Sequence, residues 1–268
     1  MSNTESSLTA FERLGRILDI LRVECPWDSV QTIDSLRYLT IEETYEFSEA
    51  ILAKDYSEMR KELGDLFMHL MFYAKIAEDE HKFTTEEAIH GICDKLVSRH
   101  PHIALPDRNG NLQGGPDNAA PLWEKVKMKE GRKSILEGVP SSLPTLVKSI
   151  RLQEKAAGVG YEFPSVEHAF KKVKEEYSEL QEAIEEGDKQ HMEEEFGDLL
   201  FALVKWGRHL GLNADDALSR TNQKFKSRFS YMEQAAGSQG RNFSDLDIEE
   251  MRALWKEAKK NLGNQQSK

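Results

Sequence analysis

The feature that most constrains this chain is an internal repeat of paired acids. Glu43 and Glu46 recur as Glu176 and Glu179, and Glu62 and Asp65 recur as Glu195 and Asp198. In each pair the acids are three residues apart, a spacing that sets both on one face of a helix. If the two segments fold against each other as a hairpin, four carboxylates face one small volume. Uncompensated anions so placed repel one another, so such a cluster calls for cations. A shift of 133 also lays Glu42, Glu49, Ala50, Ile51, Met59, Gly64 and Leu66 on Glu175, Glu182, Ala183, Ile184, Met192, Gly197 and Leu199. With a small gap, Ala88, Lys95, Ser98 and Arg99 match Ala217, Lys224, Ser227 and Arg228, and Trp123 and Lys127 match Trp255 and Lys259. A repeat of this length means two copies of one domain, not a solenoid of short units.

The apolar residues recur at helical period, as at Leu14, Ile17, Leu18 and Leu21. Helices are expected at about 8–23, from a cap at Asp34 or Ser35 to 53, at 57–78, and from Thr84 or Thr85 to His100-Pro101. The segment 103–121 is polar and glycine-rich and reads as a loop, followed by a short helix at 123–129. Ser142 is expected to cap a helix that carries Pro144 in its first turn and ends near Gly158. The pattern then repeats, with helices at 166–186, 189–210, 214–236 and 247–261. No alternating strand pattern of useful length occurs. The expected fold is all-α: two tandem helical domains at 1–130 and 146–268, with a linker at 131–145 whose clearest part is 131–140.

A formal net charge of −11 argues against nonspecific wrapping of a nucleic-acid polymer or an anionic membrane. The two cysteines, Cys25 and Cys93, form no Cys-x-x-Cys pair, which reads as a reducing compartment without a disulfide framework. The first ten residues are polar and no apolar run approaches spanning length, so a cytoplasmic protein is expected.

Magnesium is bound by a few carboxylates together with water and substrate phosphates, and manganese can substitute for it. Any single glutamate at helical spacing usually belongs to a solvated face. Here the acids border apolar residues such as Phe47, Leu63 and Leu66, and they do so in both halves, which argues for a metal site. The cations suit a phosphate ligand: Lys95 and Arg99 are four apart, as are Lys224 and Arg228, and Lys172 lies one turn before Glu176. Trp123 and Trp255, each four before a lysine (Lys127 and Lys259), suit either base stacking or plain packing.

What is absent narrows the chemistry. The chain has no Gly-x-x-x-x-Gly-Lys-Ser/Thr run, and Gly158-Val159-Gly160 lacks the third glycine and the strand of a dinucleotide fingerprint. His90, Cys93, His100 and His102 match no zinc-finger spacing and have no counterparts in the second half.

Glu-Glu-x-x-Glu followed by Glu-x-x-Asp, duplicated, with Cys25-Pro26-Trp27-Asp28 upstream and His100-Pro101-His102 downstream, resembles the MazG nucleoside triphosphate pyrophosphohydrolases over nearly the whole chain. The resemblance implies a helical bundle that dimerises, binds magnesium and hydrolyses NTPs or dNTPs to the monophosphate and pyrophosphate. It further implies metal ligation by Glu43, Glu46, Glu62 and Asp65 in the first half and by Glu176, Glu179, Glu195 and Asp198 in the second. The expected reaction is attack by a metal-activated water, with Glu175 or Glu182 orienting it. Lys172, Lys224 and Arg228 would neutralise the phosphates, and Trp255 would hold the base. Leu39 stands where the second half has Lys172, so the second half is expected to be the more active. Two other readings stay open: a nucleotide-binding regulatory module with little turnover, and a partner-binding helical dimer whose acids are a solvated face.

Overall fold

A computed structural model describes residues 3–115 and 134–263. The chain divides into two compact units, Met1–Val126 and Lys127–Lys268. In the first unit the described helices are α1 (Asn3–Glu24), α2 (Ile33–Ala53), α3 (Tyr56–Asp79) and α4 (Thr85–Arg99). In the second they are α5 (Thr145–Ala157), α6 (Val166–Glu186), α7 (Lys189–His209), α8 (Ala214–Ser238) and α9 (Ile248–Gly263). The described residues form an all-α fold apart from two strands of two residues each, β1 (Leu105–Pro106) and β2 (Leu112–Gln113), paired antiparallel. None of the described helices is long and apolar enough to cross a membrane. The expected helix at 123–129 lies outside the described residues.

Each unit is built around one helical hairpin, α2–α3 in the first and α6–α7 in the second. The two turns are made alike. A residue in the left-handed region ends the first helix, Lys54 (φ 56°) in one and Gly187 (φ 76°) in the other. An aspartate then caps the second helix: Asp55 accepts from the backbone N–H of Ser57 and Glu58, and Asp188 from Gln190 and His191. Only glycine adopts that backbone without a steric cost, so the lysine at 54 is the strained member of the pair.

The core of the first unit joins Leu18, Leu36, Phe72 and Ile76, with Leu14, Leu21, Leu39, Met68, Met71 and Tyr73 packed around them. Leu39 is thus committed to the core, which explains why this position carries no cation in the first half. Arg22 closes the turn after α1 by donating from Nη1 to the carbonyls of Asp28 (2.8 Å) and Gln31 (3.0 Å), while its guanidinium lies over the Phe72 ring. This holds the Cys25–Asp28 segment against α3.

Four details depart from the sequence reading. Thr32, not Asp34 or Ser35, caps α2, with Ser35 completing a reciprocal capping box. Pro144 occupies the position before α5 with no side-chain cap, so Ser142 does not serve there. The 103–121 loop contains the small β1–β2 pair. Its base closes tightly at Gly114 (φ 82°), where a Cβ would stand 2.6 Å from the Ile103 carbonyl oxygen and 2.7 Å from that of Pro101. Within the expected linker, Ile135 and Glu137 are anchored: the ammonium of buried Lys155 donates to their carbonyls at 3.0 and 3.1 Å.

Candidate metal–phosphate site

The spacing led to the expectation of four acids together in each half, and each hairpin gathers three of its four. In the first half, oxygens of Glu43 on α2 and of Glu62 and Asp65 on α3 all lie within 4.8 Å of one another. In the second half the close group is Glu176 and Glu179 on α6 with Glu195 on α7. Among the described residues, Glu46 and Asp198 stand outside these groups. Glu46 still lies near enough to Glu62 for that charge to help raise its pKa, after the loss of solvation.

The electrostatics show what the clustering costs. Glu43 is pushed up to about 7, first by burial, then by a hydrogen bond to Glu62, then by the charges of Asp65, Glu46 and Glu62. Glu179 is raised by its hydrogen bond to Glu176 and by loss of solvation. Each half also contains one acid almost removed from solvent, Glu62 (1% exposed) and Glu176 (7%). Carboxylates are rarely so buried without a partner.

Each buried acid has a lysine over it. The Lys172 ammonium lies 2.8 Å from Glu176 and 2.5 Å from Glu175, so the lysine expected to meet substrate phosphates pairs here with the acids of its own helix. Its hydrogen bond, and then its charge, hold Glu175 below the usual carboxylate range. In the first half the lysine is Lys61, 2.9 Å from Glu62 and 2.7 Å from Glu58, and it keeps Glu62 low. The first half therefore has a cation at its acids after all, supplied by the other helix. In the second half His191 also meets Glu195 at 3.3 Å and Glu186 at 3.0 Å, and its hydrogen bond to Glu186 raises its pKa.

A polar network sits beside the first cluster. Thr40, one turn before Glu43, contacts His69 Nδ1 at 3.1 Å and Tyr73 Oη at 2.7 Å, and His69 lies one turn after Asp65. His69 is 5% exposed, and burial lowers its pKa. The matching residues in the second half are Val173, Ala202 and Trp206.

The remaining candidates are placed less uniformly. Between α8 and α9 lies an apolar cleft of about 410 Å³, lined by Phe225, Phe229, Phe243, Trp255 and the stem of Lys259 among others. The Arg228 guanidinium stacks over Trp255 at 5.6 Å, and the Phe225 ring meets Trp255 at 5.5 Å. Lys224 is exposed on α8. On α4, Lys95 is exposed while Arg99 is buried (7%), so the two do not present one shared surface. Trp123 and Lys127 lie outside the described residues.

Sequence reasoning did not single out Lys61, His191 or the Thr40–His69–Tyr73 network. Lys61 stands three after Glu58 and four before Asp65, so it carried the same helical signal as Lys172, which the sequence reading used only for the second half. His191, four before Glu195, carried a helical signal as well.

The donors are carboxylate oxygens, which suits a hard divalent cation. Oxygens sharing one magnesium ion lie at most roughly 4.2 Å apart, given bonds of about 2.1 Å, so small side-chain rotations would close either group around an ion.

The described residues thus define a tandem all-α protein with an acidic helical hairpin in each half. The MazG nucleotide pyrophosphohydrolase domain matches residues 31–104 and again 165–232. A nucleoside triphosphate pyrophosphohydrolase of Escherichia coli (strain K12) is 35% identical over 264 residues, covering 94% of this chain and 98% of that one. A Thermotoga maritima protein described as nucleoside triphosphate pyrophosphohydrolase/pyrophosphatase MazG is 37% identical over 254 residues, 93% of this chain and 95% of its own. A Bacillus subtilis protein, YabN, is 41% identical over 243 residues, 88% of this chain but 48% of its own. The chain belongs to the MazG nucleotide pyrophosphohydrolase family.

Proposed function

We propose that the protein is a magnesium-dependent nucleoside triphosphate pyrophosphohydrolase, releasing the monophosphate and pyrophosphate, with the second half the more active. The observation that carries the hydrolytic reading is the twofold gathering of acids on paired helices in a chain that belongs to this family, and the asymmetry rests on Lys172 meeting two acids of the Glu-Glu-x-x-Glu run at once. Two MazG-like domains, 1–130 and 146–268 joined by 131–145, would each contribute one site, in a cytoplasmic homodimer.

Glu176, Glu179, Glu195 and Asp198 would hold magnesium in the second half, and Glu43, Glu46, Glu62 and Asp65 in the first. The bound ion would polarise phosphate oxygens and lower the pKa of a coordinated water. Glu175, kept ionised by its hydrogen bond to Lys172, would accept a proton from the attacking water. Lys172 would turn from the acids toward the negative charge that develops on the phosphate chain. Arg228 and Lys259 would add positive charge at the edge of the Trp255 cleft, whose rings offer a base a flat apolar surface.

The test is product analysis with magnesium and each common NTP and dNTP, scoring pyrophosphate against orthophosphate. Pyrophosphate with monophosphate is expected, abolished in Glu176→Gln. Orthophosphate with diphosphate would overturn the assigned bond. Nucleotide binding without turnover would favour a regulatory module.

A further inference from the structure

The two halves carry the same charge in different places. Lys172, Glu194 and His191 of the second half correspond to Leu39, Lys61 and Glu58 of the first. Where the second half puts its lysine on the first helix of the hairpin, the first half fills that position with a core leucine and puts a lysine on the second helix.

The geometry of Lys61 is that of a held but accessible cation. Consecutive helical residues point about 100° apart, since the helix turns once in roughly 3.6 residues, so its stem must bend back to reach Glu62. Glu58, three residues earlier, holds it there, with contacts of 2.7 Å to Glu58 and 2.9 Å to Glu62. Its side chain is 63% exposed, although the carboxylate it covers is almost fully buried. An ammonium has three N–H donors, and these two contacts engage two of them. The third is left for an incoming anion at the rim of the Glu43–Glu62–Asp65 group.

We infer that Lys61 is the phosphate-binding cation of the first half, supplied by α3 in place of the lysine that α6 supplies in the second, so that the first half is a nucleotide-binding site in its own right. This rests on the proposed function, because it assigns a phosphate ligand to the same kind of site. It goes beyond it by assigning the phosphate contact of the first half to a residue that has no lysine counterpart in the second.

The experiment is calorimetric titration of the full chain with an α,β-methylene nucleoside triphosphate and magnesium, in a Glu176→Gln/Glu195→Gln background that silences the second site. That background is expected to keep one nucleotide site. Adding Lys61→Met should weaken nucleotide affinity about tenfold or more, as loss of a charge-assisted contact would, and Lys61→Arg should restore most of it. Magnesium titrated alone should bind Lys61→Met no more weakly than before, because removing a competing cation does not harm the ligands. Unchanged nucleotide affinity in Lys61→Met would overturn the inference. So would a silenced background that binds no nucleotide, or magnesium affinity that falls in parallel, which would mark a structural role. If the unsubstituted chain binds neither magnesium nor the analogue, the functional reading itself fails and the inference goes with it.

Discussion

In the first half the buried acid is Glu62, on the second helix of its hairpin, with Lys61 over it. In the second half it is Glu176, on the first helix, with Lys172 over it. The surroundings differ in the same sense. The first cluster borders a hydrogen-bonded Thr40–His69–Tyr73 network, and the corresponding residues of the second half are Val173, Ala202 and Trp206. A duplicated site can thus keep its acids and its charge balance while exchanging which helix provides the cation. What duplication preserved is the requirement that buried carboxylates be neutralised, since an unpaired buried charge is costly. What it left free is the direction from which the neutralising group comes.

The largest expected effect breaks the comparison by function. Glu176→Gln/Glu179→Gln should lower turnover by about a hundredfold or more, the scale seen when groups that stabilise transition-state charge are removed. Glu43→Gln/Glu46→Gln should cost much less, and steady-state kinetics on both variants would show it. Equal losses would remove the asymmetry between the halves.

Next in size is the polar network. Thr40→Val leaves His69 and Tyr73 without their shared partner and should destabilise the first unit by about 1–3 kcal/mol in denaturant unfolding.

A pH dependence follows from Glu43, whose carboxyl is raised from 4.5 to about 7 in the folded chain. A group that holds its proton more tightly when folded stabilises most fully below its unfolded pKa. That contribution is lost as pH rises from about 4.5 through about 7. Magnesium requires the ionised form, so its stabilising effect on the first unit should grow over the same interval. Melting temperatures with and without magnesium across this range would test both signs. A magnesium effect independent of pH would argue that Glu43 is not a ligand.

The smallest effect sharpens the comparison of the two turns. Lys54→Gly should stabilise the first unit by about 0.5–1 kcal/mol by relieving a left-handed lysine, and Gly187→Ala should destabilise the second. Chemical denaturation of the two variants provides the comparison.

The sequence exposed what is local. Acids three apart, the Thr84–Glu87 capping box and the repeated hairpin could be read because helical spacing alone brings those residues together. The contacts it hid depend on tertiary placement. Thr40 meets His69 and Tyr73 across the α2–α3 packing, and Arg22 meets the carbonyls of a turn that only the packed α1 brings within reach. Which three of four acids converge was hidden for the same reason, because the crossing of the two helices decides it and the residue pattern does not.

The most direct test of two independent acidic sites is manganese titration followed by electron paramagnetic resonance of the free ion. It would compare the unsubstituted chain with Glu62→Gln/Asp65→Asn and with Glu176→Gln/Glu195→Gln. The account predicts that each double variant loses its own class of bound manganese and keeps the other. Loss of all binding in either variant, or full binding in both, would contradict it.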